Sequence, residues 1–521
     1  MTRVLSAAII GLDARLIEVE VDLTPGLHVF NIVGLPDKAV QEAKERVSAA
    51  IKNSQADPPR KKNQRLIINL APADIKKAGP AYDLPIALGY LLASKQISFN
   101  PENQLFVGEL SLDGKIKPVN GILSTALLAR EMSSVISLFV PKDNAKEAAL
   151  VEGLEVIPIE SLSQAIAHLE NRIPVQPQPA TKLGELDFRN SCLTNRLVGE
   201  DGINMAYIRG QENAKRAVEI AASGAHNLLM LGPPGSGKSL LAKAIPSILP
   251  KMTKAEVLEV TKIHSVAGRL GSKTPIIIQR PFRSPHHTAS EVTLIGGGAL
   301  SKPGDISITH RGVLFLDELP EFRRNVLESL RQPLEDGIIT VSRAKGSYTY
   351  PAQFILIAAM NPCPCGYATH PNKACVCSSV QIRRYQRKIS GPLLDRIDLH
   401  VEVPQVKYEK LASEKVAEES SSIRKRVEKA RKIQEKRFQK QNVKTNSEMN
   451  IPQIKKYCQT DSTGEALLKN AVDKMNLSAR GYHRILKLAR TIADLSGQEN
   501  ITRDHIAEAL QYRQKEMDWE Y

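Results

Sequence analysis

Residues 227–245 read NLLMLGPPGSGKSLLAKAI. The apolar run Asn227–Leu231 has the length of a buried strand, and the residues after Ser239 have helical spacing. Between them Gly232–Ser239 matches G-x-x-x-x-G-K-[ST], a loop that cradles phosphates. Gly232, Gly235 and Gly237, with Pro233, Pro234 and Ser236, let backbone N–H groups wrap an anion. The helix that follows points its positive end at it. Lys238 is expected to reach the β- and γ-phosphates of ATP, and the Ser239 hydroxyl to hold Mg²⁺. A glycine-rich turn with a chance lysine is the alternative, and the strand–loop–helix context disfavours it.

About eighty residues on, RGVLFLDELPEF (311–322) carries a second apolar strand that ends in Asp317-Glu318. At the carboxyl edge of a parallel sheet this pair faces the phosphate loop. Asp317 is expected to bind Mg²⁺ through water and Glu318 to polarise the attacking water. A third apolar run, FILIAAMNP (354–362), ends in Asn361. It leads straight into CPCGYATHPNKACVC (363–377), four of the chain's six cysteines in one short loop. Cys363, Cys365, Cys375 and Cys377 form C-x-C, nine residues, C-x-C. Four thiolates suit a structural Zn²⁺, with His370 as a substitute ligand. Reduced, unliganded thiols are the alternative.

The chain has 521 residues, 42% hydrophobic and 24% charged, as expected of an ordinary globular protein of three or four domains. No run of eighteen apolar residues appears, and the N-terminus lacks the pattern of a signal peptide, so a cytoplasmic protein with no membrane partner is expected. In a reducing compartment, clustered cysteines point to metal rather than to disulfides. The net charge of +15 suggests a polyanionic partner such as nucleic acid, against the alternative of a solvated basic surface.

Four pieces follow: a mixed α/β unit over 1–170, a proline-rich linker over 171–187, a second α/β unit over 188–400, and a helical remainder over 401–521. In the last, 421–444 carries ten Lys or Arg against two Glu. The basic run DPPRKKNQR (57–65) is either a DNA contact or a solvated turn.

Together these motifs resemble AAA+ ATPases of the magnesium-chelatase branch, and nearly the whole chain is similar to the YifB/ComM family. FILIAAMNP resembles the sensor-1 strand, with Asn361 helping to place the water. GPLLDRIDLHVEV (391–403) resembles the arginine-finger segment, with Arg396 as the finger. LSARGYHRILKLARTIADL (477–495) resembles the sensor-2 helix, with Arg480 as the best match and Arg484 one turn on. IRGQENAKRAVEIAASGAHN (208–227) resembles the segment packed near the adenine. The resemblance implies an α/β multidomain fold: a Lon-protease-like (S5 domain 2-like) N-terminal domain, an AAA+ core and a helical lid. It also implies a hexameric ring, because the finger must reach a neighbour's nucleotide. The implied activity is that of an ATP-dependent DNA helicase in branch migration and recombination during natural transformation, acting on single-stranded and branched DNA beside recombination proteins.

KKAGPAYDLPIALGYLLAS (76–94) and FVGELSLDGKIKPVNGILSTALLA (106–129) resemble the Lon protease domain. Ala81 and Leu123 stand where that family has its serine and lysine, which removes proteolysis from the expectation. Two segments are expected to project toward the pore of the ring. One is 280–312, with Arg280, Arg283, His286 and His287; the other is the hairpin-like 340–354, with Arg343 and Lys345 near its tip. Arg283, Arg343 and Lys345 are the candidate DNA contacts, with the helix Arg424–Lys440 as a weaker one. Inter-subunit packing is the alternative for these loops. A chelatase-like motor that remodels a protein partner is the alternative for the whole.

Overall fold

The computed structural model describes residues 2–61, 63–182, 203–271, 274–298, 302–343, 346–370, 372–406, 417–439, 441, 443–475 and 477–513. The chain divides into two compact units, 1–191 with 253–278 and 298–303, and 192–252 with 279–297 and 304–521.

The first unit is built on seven strands, β1 (Thr2–Ile10), β2 (Asp13–Pro25), β3 (Val29–Val33), β4 (Gln64–Ala71), β5 (Gln104–Phe106), β6 (Ser137–Pro141) and β7 (Glu155–Ile159), in the order β3-β4-β2-β1-β5-β6-β7. In β4 the side chains alternate, and Leu66, Ile68 and Leu70 enter the core, as the two-residue period of a strand requires. The helix Asp83–Ala93 is buried over nearly its whole length. Its buried Asp83 carboxylate is gripped by Arg46 at 2.7 and 3.0 Å and accepts the Leu110 N–H.

The helix Lys254–Val266 follows the phosphate loop in sequence, yet it packs in this first unit. Thr253 and Glu256 cap it reciprocally, and Val257, Val260 and Ile263 are buried. Its Ser265 hydroxyl donates to the buried Glu147 carboxyl and accepts the Gly121 N–H. Glu147 also accepts from the Leu123 N–H at 2.8 Å and the Asn144 amide at 3.2 Å. Leu123 is fully buried, and its backbone thus helps to hold a structural carboxyl.

The second unit contains β8 (Leu228–Leu231), β9 (Phe282–Arg283), β10 (Val313–Leu316), the hairpin strands β11 (Ile338–Arg343) and β12 (Gly346–Pro351), then β13 (Ile355–Met360) and β14 (Leu399–Glu402). Five of them form a parallel sheet in the order β9-β10-β13-β8-β14. β10 and β13 are buried at every position, because helices or loops must cover both faces of a parallel sheet. The sheet runs on to Glu402, past the boundary expected at 400. Beyond it lie the helices Ser420–Arg437, Ser462–Lys474, Ala479–Ser496 and Arg503–Gln511, so the helical C-terminal region is present as expected. A buried carboxylate, Asp494, ties the first of these to the third: Arg437, Arg490 and Asn446 all donate to it. Such a charge is tolerated because its lone pairs are filled.

Burial pushes the Glu147 carboxyl up to about 7, against three hydrogen bonds that favour its ionised form. A carboxyl raised in the folded state stabilises most fully at low pH, and the contribution is lost as pH climbs from the unfolded value toward and past 7. Glu147→Gln is therefore expected to gain thermal stability relative to the parent as pH rises from 5 to 8. The two melting curves should lie closest at the acid end, and a pH-independent gap would contradict the assignment.

Candidate nucleotide site and cysteine cluster

The strand register brings three chain segments to one sheet edge. Leu231 pairs with Met360 and Leu316 with Ala358, so the carboxyl ends of β8, β10 and β13 lie side by side. In an open α/β sheet this edge is where ligands bind. β8 runs into the phosphate loop, in which Gly235 and Gly237 take positive φ values of 74° and 94° that L-residues avoid. That backbone form turns successive N–H groups to one side, making an anion-binding nest.

Lys238 is buried at the start of the helix Lys238–Ala244. Its ammonium donates to the carbonyls of Gly232 at 2.7 Å and Pro233 at 2.8 Å, and lies 3.3 Å from the Asn361 amide oxygen. Burial holds its pKa below the ordinary lysine value, with the nearby Asp317 charge opposing that shift. The Ser239 hydroxyl donates to the Asp317 carboxylate at 2.7 Å. This oxygen pair has the hard-donor chemistry that Mg²⁺ requires, and a nucleotide's phosphates would complete its shell. Glu318 follows with its side chain 55% exposed to water and its backbone in the left-handed region at φ 52°. Residues held there carry strain, and strain of that kind gathers at functional sites.

Sequence reading named His287 only as a basic residue of the 280–312 segment. Its ring lies 3.4 Å from the Glu318 carboxylate and edge-on to Phe322. No local spacing announces this, because the contact joins a loop to a strand end thirty residues away. Arg396 and Arg480 both reach Glu335, the first through a short hydrogen bond and the second at 3.1 Å. The Arg396 hydrogen bond, ahead of any other cause, holds the Glu335 carboxyl below its usual range. Arg484 lies 3.6 Å from Asp398, which also contacts His226 at 3.1 Å. Arg283 lies in the edge strand β9, 3.8 Å from Asp305, rather than at a loop tip. The expected hairpin is present, with Arg343 registered opposite Gly346, while Lys345 lies outside the described residues. In the basic helix, Arg424 and Arg431 donate to the carbonyls of Ser247 and Ala222, and Arg426 and Arg437 pair with carboxylates. These arginines hold helices together.

The four cysteine sulfurs, Cys363, Cys365, Cys375 and Cys377, lie within 4.8 Å of one another. Three of the pairs are 3.4, 3.6 and 3.6 Å apart. A tetrahedral Zn²⁺ with bonds of about 2.3 Å separates its sulfurs by about 3.8 Å, so the cluster is compatible with that ion. His370 stands apart, its Nδ1 accepting the Asn372 N–H. The cysteine loop also touches the phosphate loop: a Cβ built on Gly366 would lie 2.6 Å from the Pro234 ring.

Comparison with known proteins shows the family. Models of the magnesium-chelatase subunit ChlI match residues 19–144 and 204–411, and the ChlI C-terminal model matches 417–513. The chain is 42% identical over 515 residues to the competence protein ComM of Haemophilus influenzae, covering 98% of this chain and 97% of that protein. It is 42% identical over 510 residues to the uncharacterized protein YifB of Escherichia coli, covering 97% and 96%. The chain belongs to the YifB/ComM family of magnesium-chelatase-like AAA+ proteins. Its likeness to the magnesium-chelatase subunit ChlI of Bigelowiella natans is weaker, 24% over 243 residues, covering 42% of this chain and 60% of that one. Among the described residues, no helix is long and apolar enough to cross a membrane.

Gly366 adopts a φ of 82° as well as its close approach to Pro234. Gly366→Ala should therefore lower stability by about 1–3 kcal/mol through backbone strain and overpacking. Thermal melting checks this, and an unchanged melting temperature would show that the two loops are not in firm contact.

Proposed function

We propose that this protein is a Mg²⁺-dependent ATPase that works on DNA as a ring-forming motor. The ATPase half rests chiefly on the Ser239–Asp317 hydrogen bond at 2.7 Å beside the Lys238 cradle and Glu318. The DNA half rests on the net charge of +15 and the likeness to a competence protein. Mg²⁺ at Ser239 and Asp317 would neutralise charge on the β- and γ-phosphates. Lys238 would exchange its two carbonyl acceptors for phosphate oxygens, regaining the charge complement that burial denies it. Glu318 would orient and deprotonate the attacking water, with His287 beside it, and Asn361 would fix the position of that water. Arg396 and Arg480 would leave Glu335 for phosphate oxygens, with Arg396 reaching across a subunit interface of a hexamer. With Ala81 and Leu123 at the positions that match a protease dyad, the first unit would serve as an assembly or binding platform. The cysteine cluster would hold one structural Zn²⁺ and brace the loop behind Asn361.

The likeness to ChlI favours a second reading, a chelatase-type motor that remodels a protein partner. Turnover of ATP with and without single-stranded DNA separates the two. The DNA reading expects stimulation, and a flat response would favour the protein-remodelling reading. Lys238→Ala should abolish nucleotide binding. Glu318→Gln should bind ATP and slow hydrolysis by about 10²–10⁴-fold, the usual worth of a general base. Mixing Arg396→Ala with the parent should depress turnover beyond simple dilution, and a linear response would end the cross-subunit role.

Metal analysis of protein purified without chelator should find one zinc per chain, lost in Cys363→Ser/Cys365→Ser. Because thiolates are the ligands, affinity should fall as pH falls. Substoichiometric metal, unchanged in the double variant, would leave the cluster as free thiols.

A further inference from the structure

The turn after Glu318 and the helix Ser379–Gln386 enclose a cleft of about 700 Å³ in the second unit. Its walls carry Arg324, Arg383, Arg384, Arg387 and Lys388 against a single carboxylate, Glu321. Lys388 is paired with that carboxylate at 3.1 Å. The four arginines are exposed and form no ion pair with any described residue. On the helix Ser379–Gln386 and the turn after it, Val380, Arg383, Arg384, Arg387 and Lys388 are exposed, while Ile382, Tyr385 and Ile389 are buried. Sequence reading assigned none of these residues a role.

Two of the arginines lie in the helix's last turn and suit the negative end of its dipole. That end carries only about half a charge, so it accounts for a fraction of the cluster. Like charges crowded into a concave wall repel one another, and the cleft concentrates their field on whatever enters it. The cleft therefore spreads positive charge over an area broader than one ion. The guanidinium fork matches phosphate oxygens two at a time. Phe322, the cleft's aromatic ring, is 4% exposed and stacks on no visiting base. Recognition here is of a charged backbone, without base identity.

We infer that this cleft, whose lining residues include none from the 280–312 segment or the β11–β12 hairpin, binds the phosphodiester backbone of a nucleic-acid strand. The inference rests on the DNA reading above and adds a location to it. The location also couples the cleft to the proposed catalytic edge. The Pro320–Phe322 turn that walls the cleft begins two residues past Glu318, and the Phe322 ring meets the His287 ring that sits beside the Glu318 carboxylate. A strand seated in the cleft would press on the turn that follows the proposed general base, Glu318.

The test uses the full-length protein and mixed-sequence DNA, single-stranded and duplex, with binding followed by fluorescence anisotropy across a salt series. Each phosphate contact contributes about 0.7 to the salt slope for single strands and about 0.9 for duplex. Arg384→Gln/Arg387→Gln should lower the slope by about 1.4 on single strands or about 1.8 on duplex, and weaken all sequences alike. The substrate that shows the larger fraction of its expected loss identifies the form the cleft prefers. Arg324→Gln, on the opposite wall and outside the helix, should remove a further unit or slightly less. Melting curves matched to the parent establish that the variants are folded. A parent that binds DNA and variants with an unchanged slope would overturn this site and leave the DNA reading standing. Variants that lose their oligomeric state in sedimentation, with an unchanged slope, would likewise overturn it, and would mark the face as a contact between copies. A parent that binds no DNA overturns both readings together.

Discussion

A buried lysine held chiefly by loop carbonyls, with no carboxylate bonded to it, is the constraint on which the second unit depends. Lys238 lies under the phosphate loop, desolvated, with its ammonium shared between Gly232 and Pro233. Burying a charge in this way is costly unless a counter-charge arrives. The sheet supplies the setting. The ends of β8, β10 and β13 meet in register, so Asp317 and Asn361 stand around the lysine while Glu318 keeps contact with water. The site is incomplete in charge, and a polyphosphate with its metal would complete it.

Much of this was legible because the signals are local. The phosphate loop, the acidic pair after VLFL and the run ILIAAM each declare themselves by glycine spacing or by unbroken apolar stretches, and each occupies the strand end that the pattern implies. The cysteine cluster was legible for the same reason: four ligands in one short loop need no long-range fold to meet. What escaped was long-range. His287 reaches Glu318 from another loop, and Glu335 collects Arg396 and Arg480 from segments 61 and 145 residues away. The helix Lys254–Val266 looks in sequence like part of the nucleotide unit. It joins the first unit through Glu147, a buried acid whose role shows only once Ser265 and Leu123 surround it.

Charge was legible as a total and misleading as a list. The helix Ser420–Arg437 is the most conspicuous basic run, yet its arginines are consumed in joining helix to helix. The exposed basic face lies on the short helix after the cysteines, where Arg383, Arg384 and Arg387 have no ion-pair partner among the described residues, with Arg324 across the cleft. Pairing, which only the fold reveals, decides which cations are available to a polyanion.

The central claim is that the Lys238 cradle is a triphosphate site held ready by its own backbone. A crystal structure with Mg²⁺ and a non-hydrolysable ATP analogue tests it directly. The account predicts that the Lys238 ammonium leaves the Gly232 and Pro233 carbonyls for the β- and γ-phosphates, with the metal between Ser239 and Asp317. A bound analogue that leaves Lys238 on those two carbonyls, with Ser239 still donating to Asp317, would contradict it.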